Sequence, residues 1–270
     1  MITLFKRCYC QTIVVGSLAL ASCSVVTNIV APSSTEMNAL SAQQYTQLVT
    51  ENQKAVDRSS ATYRRINAIF KRMIPFANKL NKTGTEFEWQ LTVFKSNTVN
   101  AFAMPGGKIA FYTGLVENLK LTDDEIAAVM GHEMIHALNE HSRKAYAGQL
   151  VTNGALAIGS VAVGVASGVD PNSLYSLSSA IGAVGITLPY SRSNETEADV
   201  EGLYLMAQTG YDPRASLTLW KKMAAYSEKL GAEKTANIFS THPTDEKRYA
   251  TLSEHMEKAL ELYRQAKKAK

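Results

Sequence analysis

Two histidines and a glutamate in one short stretch have the types and spacing for metal-dependent hydrolysis. The stretch reads His132-Glu133-Met134-Ile135-His136. On a helix with 3.6 residues per turn, residues four apart lie about 40° apart, so both imidazoles can reach one metal ion from one face. Glu133 projects to the side, where it can take a proton from a metal-activated water. The pattern predicts His132 and His136 as zinc ligands and Glu133 as the general base.

A catalytic zinc site needs a third protein ligand and an open position. The segment from Ser191 to Asp199 supplies carboxylates of the right chemical class. Glu195 and Asp199 are four residues apart and share one helical face, whereas Glu197 points to nearly the opposite side. We therefore predict Glu195 as the third ligand and Asp199 as the acceptor of a hydrogen bond from a ligand histidine. A solvated acidic face is the alternative for this pair.

Another histidine close in sequence does not fit the same ion. His141 lies about 180° around a continuous helix from His132. Position 142, where a metzincin carries its third histidine, is Ser142. The spacing predicts that His141 is structural or exposed.

The elements around the metal stretch are also indicated by sequence. Thr122 and Glu125 form a capping box, which predicts a helix that begins at about Asp123. Apolar residues then recur at a spacing typical of a mostly buried helix: Ile126, Val129, Met130, Ile135 and Leu138. Gly131 interrupts this pattern at a cost of about 1 kcal/mol relative to alanine. Close approach of another backbone beside the metal would compensate for that cost.

The preceding region predicts helices and a small sheet. A helical pattern runs from Ser41 to about Leu80 and is interrupted near Pro75. Strands are predicted at residues 86–95, 99–104 and 108–112, the first of them from alternating apolar residues. The fold class expected is α+β and mainly helical, a zincin-like metallopeptidase domain with a small sheet beside the H-E-x-x-H helix.

A sheet beside a metal helix suits a peptidase because an edge strand can pair with an extended substrate. The candidate edge strand consists of Asn100, Ala101, Phe102 and Ala103. A plain structural role is the alternative for each of these residues.

The N-terminus has the features of a processing segment, predicted as a lipoprotein signal peptide over residues 1–22. Lys6 and Arg7 precede an apolar stretch that is too short to span a bilayer. The stretch ends at Cys23, in a sequence that resembles a bacterial lipobox, so Cys23 is the predicted lipidation site. Ser24 follows, which by resemblance to known lipoproteins favours the outer membrane. An ordinary cleaved signal is the alternative.

The remaining chain divides into a linker and one domain. Residues 23–40 are rich in Ser, Thr and Asn and predict a flexible tether, which leaves residues 41–270 as a zinc metallopeptidase domain. Within this domain, residues 151–188 are apolar and rich in small side chains. A helical pair over the active site is the favoured interpretation, and contact with a membrane or partner remains open.

Several motifs in order resemble one protease family. H-E-x-x-H followed by S-R-x-x-E-x-x-A-D is similar to the gluzincins that include HtpX and the CAAX prenyl protease, above all their soluble bacterial lipoprotein branch. Residues 100–109, the Ser240-Thr241-His242-Pro243 stretch and Arg248 match that branch as well. The resemblance covers about residues 60–255. It implies one zinc ion per chain, bound by His132, His136 and Glu195.

The resemblance also makes His242 a candidate catalytic residue. It stands before a last helix expected from Asp245 to Lys268. His242 would donate to the oxyanion or close on the metal as a fourth ligand in a resting state; a capping role is the alternative. Arg248 is expected behind the metal ligands, where it helps to hold this loop.

Charge and motifs together narrow the function. The net charge is +4, and the sequence contains no basic block of the kind that binds nucleic acid, so no nucleic-acid partner is expected. The predicted function is a zinc metalloendopeptidase that acts on unfolded or misfolded envelope proteins, anchored by lipid to the outer membrane and facing the periplasm. The alternatives are a lipid-anchored chaperone or binding protein with a structural zinc site, and a zinc amidase acting on cell-wall peptide.

Overall fold

The computed structural model describes residues 32–149, 190–230, 238, 242 and 246–269. These residues form a mainly helical α+β fold with one small sheet, as predicted. The predictions for the signal peptide, for Cys23 and for residues 151–188 lie outside the described residues.

Helices make up most of the described chain. Their bounds are α1 Ser34–Glu51, α2 Ala61–Leu80, α3 Thr113–Asn118, α4 Asp123–Leu138, α5 Arg192–Gln208, α6 Ala215–Leu230, α7 Glu246–Glu254 and α8 Met256–Lys268. A short 3₁₀ helix spans Gln53–Ala55. Residues 141–149 are helical as well.

The sheet has four strands in the order β1-β2-β4-β3. Their bounds are β1 Val56–Asp57, β2 Gln90–Phe94, β3 Ala101–Met104 and β4 Lys108–Tyr112. Strands β2 and β4 run parallel, whereas β1 pairs antiparallel with β2 and β3 pairs antiparallel with β4. Strand β3 therefore lies at an edge of the sheet, and α4 packs against it.

Helix α1 begins inside the segment predicted as a flexible tether, so that prediction is wrong for residues 34–40. Ser33 and Glu36 form a reciprocal capping box, in which the Ser33 N–H donates to Glu36 Oε2 at 2.8 Å. Farther along α1, the Tyr45 hydroxyl donates to the carbonyl of Ile109 at 2.7 Å. The cap starts the helix early, and the contact with β4 docks it on the sheet.

The helical region between Ser41 and Leu80 breaks at residues 52–60, and not near Pro75 as predicted. Pro75 lies inside α2 on its exposed side, where solvent can hydrate the carbonyl that the missing N–H leaves without a partner. The break lies where β1 pairs with β2 and where Ser60 caps α2, accepting a hydrogen bond from the Tyr63 N–H at 3.0 Å.

Two other predicted elements differ at their ends. The first predicted strand starts only at Gln90, and Trp89 just before it packs over Gly107, where a Cβ would lie 2.7 Å from the indole ring. The last predicted helix is two helices, α7 and α8, which meet at His255. The His255 Nδ1 atom lies 2.5 Å from the Tyr204 hydroxyl, so this junction is tied to α5.

Helix α4 begins at Asp123 with the predicted capping box between Thr122 and Glu125. The Thr122 N–H donates to Glu125 Oε2 at 2.8 Å. Nearly every residue of α4 is buried, since α2, α5, α6 and β3 surround it. This helix is therefore the centre of the core, and it carries the H-E-x-x-H residues.

The capping carboxylate makes the fold sensitive to acid. Burial alone would raise the pKa of Glu125, but hydrogen bonds from Lys222 and Thr218 hold it below its ordinary value of 4.5. A carboxyl whose pKa is lowered by folding stabilises the folded state above its unfolded pKa, and this contribution is lost as the pH falls through the folded pKa. We expect the unfolding free energy of the wild type to fall more steeply than that of Glu125→Gln between about pH 5 and about pH 3. Urea titrations in chelator measure both slopes, and equal slopes would contradict the lowered pKa.

Helices α4 and α5 cross in direct backbone contact at two glycines. A Cβ added to Gly131 would lie 2.8 Å from the carbonyl oxygen of Gly202, and one added to Gly202 would lie 2.8 Å from the His132 nitrogen. The close backbone approach predicted at Gly131 is thus confirmed. Its partner Gly202 was not predicted, because the sequence around a helical glycine does not show which other helix packs against it.

The glycine contact predicts a loss of stability for Gly131→Ala. The added methyl overpacks the crossing, and overpacking typically costs about 1–3 kcal/mol. Gly148→Ala is the matched control, because Gly148 lies in the helical residues 141–149 and its Cβ would meet nothing within 4 Å. We expect that control to be neutral or to stabilise by up to about 1 kcal/mol. Urea unfolding of the metal-free proteins compares the two, and equal effects would refute a tight crossing.

Candidate metal centre

The H-E-x-x-H residues place two imidazole nitrogens side by side. His132 and His136 are on successive turns of α4, and their Nε2 atoms are 3.0 Å apart. His136 is buried, while the side chain of His132 is 12% exposed. One face of α4 thus presents two nitrogen donors to a common point, as the four-residue spacing predicted.

Two further side chains complete a group of four that could hold a metal ion. Glu195 comes from the first turn of α5, and its Oε1 atom lies 3.3 Å from His136 Nε2. His242 Nδ1 lies 2.9 Å from Glu195 Oε1 and 3.2 Å from His132 Nε2. The structure therefore brings together the three predicted ligands and also His242, all of which except His132 are fully buried.

The donor set fits zinc. Zinc prefers four ligands in a tetrahedron at about 2.0–2.1 Å for nitrogen and oxygen, which places neighbouring donors roughly 3.3 Å apart. Four of the distances between these donor atoms lie between 2.9 and 3.3 Å, close to that value. Three imidazole nitrogens and one carboxylate oxygen are also ligand types that zinc accepts. A cation between them would relieve the crowding of these lone pairs.

A carboxylate and a guanidinium support this group from behind. Asp199 Oδ1 lies 3.0 Å from His132 Nδ1, the nitrogen that faces away from the other donors. Arg248 donates to both oxygens of Asp199, from Nε at 2.6 Å and from Nη2 at 2.7 Å. A third atom of the same guanidinium, Nη1, lies 2.8 Å from Glu195 Oε2. Arg248 therefore links the carboxylate that orients His132 to the carboxylate of the ligand group.

Charge keeps both acids ionised in spite of their burial. Burial alone would raise the pKa of Glu195, but the charge of His242 and a hydrogen bond with His136 hold it well below its usual range. Burial would likewise raise the pKa of Asp199, and the Arg248 guanidinium lowers it. Neighbouring positive groups thus stabilise two buried, negatively charged carboxylates in this site.

Glu133 stands beside the donor group but outside it. Its side chain is buried, and its polar neighbours include the Ala103 backbone N–H and the imidazole of His242. His242 Nε2 is 3.5 Å from its Oε1 atom. Burial raises the pKa of the Glu133 carboxyl, and the neighbouring imidazoles of His242 and His132 oppose that shift only in part. A buried carboxyl with a raised pKa is suited to exchange a proton.

The candidate edge strand lies close to this group. Ala101, Phe102 and Ala103 are buried in β3, and Asn100 stands just before the strand. Asn100 Oδ1 is buried and has no hydrogen-bond partner among the described residues. Beside Asn100, the carbonyl of Val99 accepts a hydrogen bond from the Ile238 N–H at 3.0 Å. Ile238, four residues before His242, therefore contacts the residue that precedes Asn100.

His141 is buried and lies behind His136, a position that helical spacing did not predict. Helix α4 ends at Leu138, and Glu140 adopts a φ of 52°. The chain turns there, so the angle computed for a continuous helix does not apply. His141 Nδ1 lies 2.8 Å from His136 Nδ1, and its Nε2 lies 2.8 Å from Glu197 Oε2.

Tyr190 is a further neighbour of the site that sequence reasoning missed. Its ring stacks on His136 with a centroid distance of 4.0 Å and an angle of 18°. Its hydroxyl lies 2.9 Å from Ser142 Oγ. Nothing in the spacing of Tyr190 indicated this contact, because it joins two segments that are distant in sequence.

Comparison with known proteins identifies the family. The sequence profile described as peptidase family M48 matches residues 60–256. The chain belongs to peptidase family M48. The resemblance inferred from the motifs is thereby confirmed, and so is zinc as the cofactor, because this is a family of zinc metallopeptidases whose ion the four donors could hold.

Similar proteins carry metallopeptidase names. The chain is 37% identical to the mitochondrial metalloendopeptidase OMA1 of Arabidopsis thaliana over 179 residues, which are 66% of this chain and 34% of that protein. It is 34% identical to OMA1 of Schizosaccharomyces pombe over 194 residues, 72% of this chain and 53% of the relative. It is 30% identical to the metalloprotease LoiP of Escherichia coli over 199 residues, 73% of this chain and 75% of LoiP. The chain thus spans about a third to a half of the length of these two mitochondrial relatives.

Among the described residues, no helix combines the length and the apolar character that crossing a bilayer requires.

Proposed function

We propose that this chain is a zinc-dependent metalloendopeptidase of the bacterial envelope that hydrolyses peptide bonds in unfolded or misfolded proteins. The observation that carries the proposal is the position of Glu133, a buried carboxyl with a raised pKa beside a group of four side chains that could hold a metal ion. A purely structural metal site has no need of such a carboxyl, because burying an ionisable group is costly.

The side chains divide the chemical work between them. Zinc, when bound, supplies Lewis-acid activation of water and of the scissile carbonyl. His132, His136 and Glu195 hold the ion, while Asp199 and Arg248 keep His132 and Glu195 in place. Glu133 takes a proton from the attacking water and delivers it to the leaving amine.

The edge strand supports a peptide substrate in extended conformation. An extended peptide can add to β3 through backbone hydrogen bonds, as in other edge-strand recognition. Folded proteins rarely offer a free extended segment, so this mode of binding favours unfolded chains.

An apolar cavity beside Glu133 supports the same class of substrate. Its volume is about 50 Å³, several times what one water requires. It reaches from Glu133 and His132 to a set of apolar side chains: Val129, Leu203, Met206, Leu219 and Met223. A side chain that would fill this cavity is apolar, and such side chains become accessible when a protein unfolds.

The N-terminal sequence supports the cellular location. Cleavage before Cys23 and acylation of that residue would anchor the domain to the outer membrane, facing the periplasm. Several acyl chains on one cysteine give firm anchoring, since each buried CH₂ contributes about 0.8 kcal/mol. Misfolded envelope proteins would then be the accessible substrates.

Metal removal tests the proposed activity. The purified protein is expected to contain one zinc ion per chain and to cleave casein, an unfolded protein. A chelator should abolish cleavage, and added zinc should restore it, because the ion is required to activate water. Zinc content and casein fragments are measured on the same samples. Cleavage that continues in a metal-free sample would refute the proposal.

A second candidate function is a lipid-anchored chaperone or binding protein with a structural zinc site. The presence of His242 in the donor group favours it, because a fourth protein ligand closes the site to water. The same experiment separates the two functions: a closed structural site retains zinc and leaves casein intact. Purified peptidoglycan, incubated in parallel, tests amidase activity.

A further inference from the structure

A chain of three side chains leads from the metal centre to the surface. His136 Nδ1 lies 2.8 Å from His141 Nδ1, and His141 Nε2 lies 2.8 Å from Glu197 Oε2. Both histidines are buried, whereas the Glu197 side chain is 48% exposed. This series of hydrogen-bonded side chains lies on the side of His136 that faces away from the other metal-binding donors.

Only one arrangement of protons satisfies every contact in this chain. His136 Nε2 belongs to the donor group and must present a lone pair, so the proton of this ring is on Nδ1. His141 Nδ1 must then accept that proton's hydrogen bond, which places the proton of His141 on Nε2. From there it is donated to Glu197.

The two ligand histidines are thus supported differently. His132 faces the Asp199 carboxylate directly, and that carboxylate is clamped by Arg248. His136 reaches a carboxylate only through the neutral ring of His141. A ligand histidine whose far nitrogen has a fixed acceptor keeps one tautomer and one orientation, and loss of such support typically costs about 10- to 100-fold in metal affinity.

We propose that His141 and Glu197 are positioning residues that hold His136 in the tautomer and orientation required to bind zinc. The proposal rests on the zinc site described above and concerns zinc affinity, not the reaction. His141 supplies the acceptor for the Nδ1 proton of His136, and Glu197 keeps the proton of His141 on the far nitrogen.

Two substitutions of His141 separate positioning from packing. His141→Leu removes the acceptor and leaves the His136 N–H buried without a partner, so zinc affinity should fall by about 10- to 100-fold. His141→Asn can place its amide oxygen near the former Nδ1 position and should recover most of that loss. Both variants leave space in the core and should lower the stability of the metal-free protein. A merely structural role predicts that zinc affinity falls equally in both.

Glu197 allows the same test at the surface. Glu197→Ala removes the acceptor of His141 and is expected to weaken zinc binding by about 10-fold. Glu201→Ala is the matched control, because Glu201 is on the next turn of α5 and bonds Asn139 at 3.2 Å without touching His141. The metal-free forms of both variants should have nearly the stability of the wild type.

The experiment measures zinc dissociation constants by competition with a chromogenic chelator, together with urea unfolding of the metal-free proteins. Equal zinc affinities for His141→Asn and His141→Leu, or for Glu197→Ala and Glu201→Ala, would overturn the proposal. A wild-type protein that binds no zinc would overturn both this proposal and the proposed function. If the zinc affinities of the variants follow the expected order but the wild type does not cleave casein, only the proposed function is contradicted.

Discussion

Glutamine in place of Glu133 is expected to lower the rate of casein cleavage by about 100- to 10,000-fold, the usual contribution of a general base. Zinc content should stay at the wild-type level, because Glu133 lies outside the donor group. The free energy of unfolding should change little, since glutamine keeps nearly the shape and volume of the buried side chain. The measurements are casein fragments over time, zinc per chain, and urea unfolding.

Glu201→Gln is the matched control for this substitution. Glu201 is exposed on α5 and makes its one described side-chain contact with Asn139, so its loss should leave cleavage unchanged. If purified Glu133→Gln protein cleaved casein at the wild-type rate, Glu133 would not be the proton carrier. A loss of zinc in that variant would instead mean that the carboxylate helps to bind the ion.

Replacement of Arg248 by methionine is expected to have the largest effect on stability. Arg248 pairs with two buried carboxylates, those of Asp199 and Glu195. Methionine keeps much of the side-chain volume but removes the guanidinium that contacts both acids. Removal of one partner from a buried ion pair typically costs about 3–5 kcal/mol. Zinc affinity should fall as well, because Asp199 and Glu195 would lose the contact that fixes their positions.

Arg214→Met is the control for the loss of an arginine. Arg214 pairs with Asp212 at the surface, where the arginine side chain is 65% exposed. Solvent screens an exposed pair, so this variant should unfold almost like the wild type. Urea titrations of the metal-free proteins compare the two substitutions. Similar small losses for both would show that the carboxylates are not held by Arg248.

Local patterns explain how much of the site could be predicted from sequence. The capping box at Thr122 and the four-residue spacing of the histidines are properties of a single helix, and they correctly indicated where α4 begins and which nitrogens meet. The same spacing rule placed Glu195 and Asp199 on one face of α5. In each case the informative residues are separated by one helical turn, so no knowledge of tertiary structure was required.

Contacts between distant segments explain what could not be predicted. His141 was assigned from the geometry of a helix that in fact ends at Leu138, so its contact with His136 was missed. Glu197 correctly pointed away from Glu195, but the ring on its own side of α5 comes from another segment of the chain. The early start of α1 was missed for a different reason, since its composition resembles that of a linker although Ser33 caps it.

The backbone contact of Gly131 with Gly202 brings the two halves of the site together. The histidine pair is on α4 and Glu195 is on α5, and the two helices touch at these glycines. A larger side chain at either position would move the helices apart and carry the ligands with them. A search for distant relatives should therefore require small residues at this crossing as well as the ligands themselves.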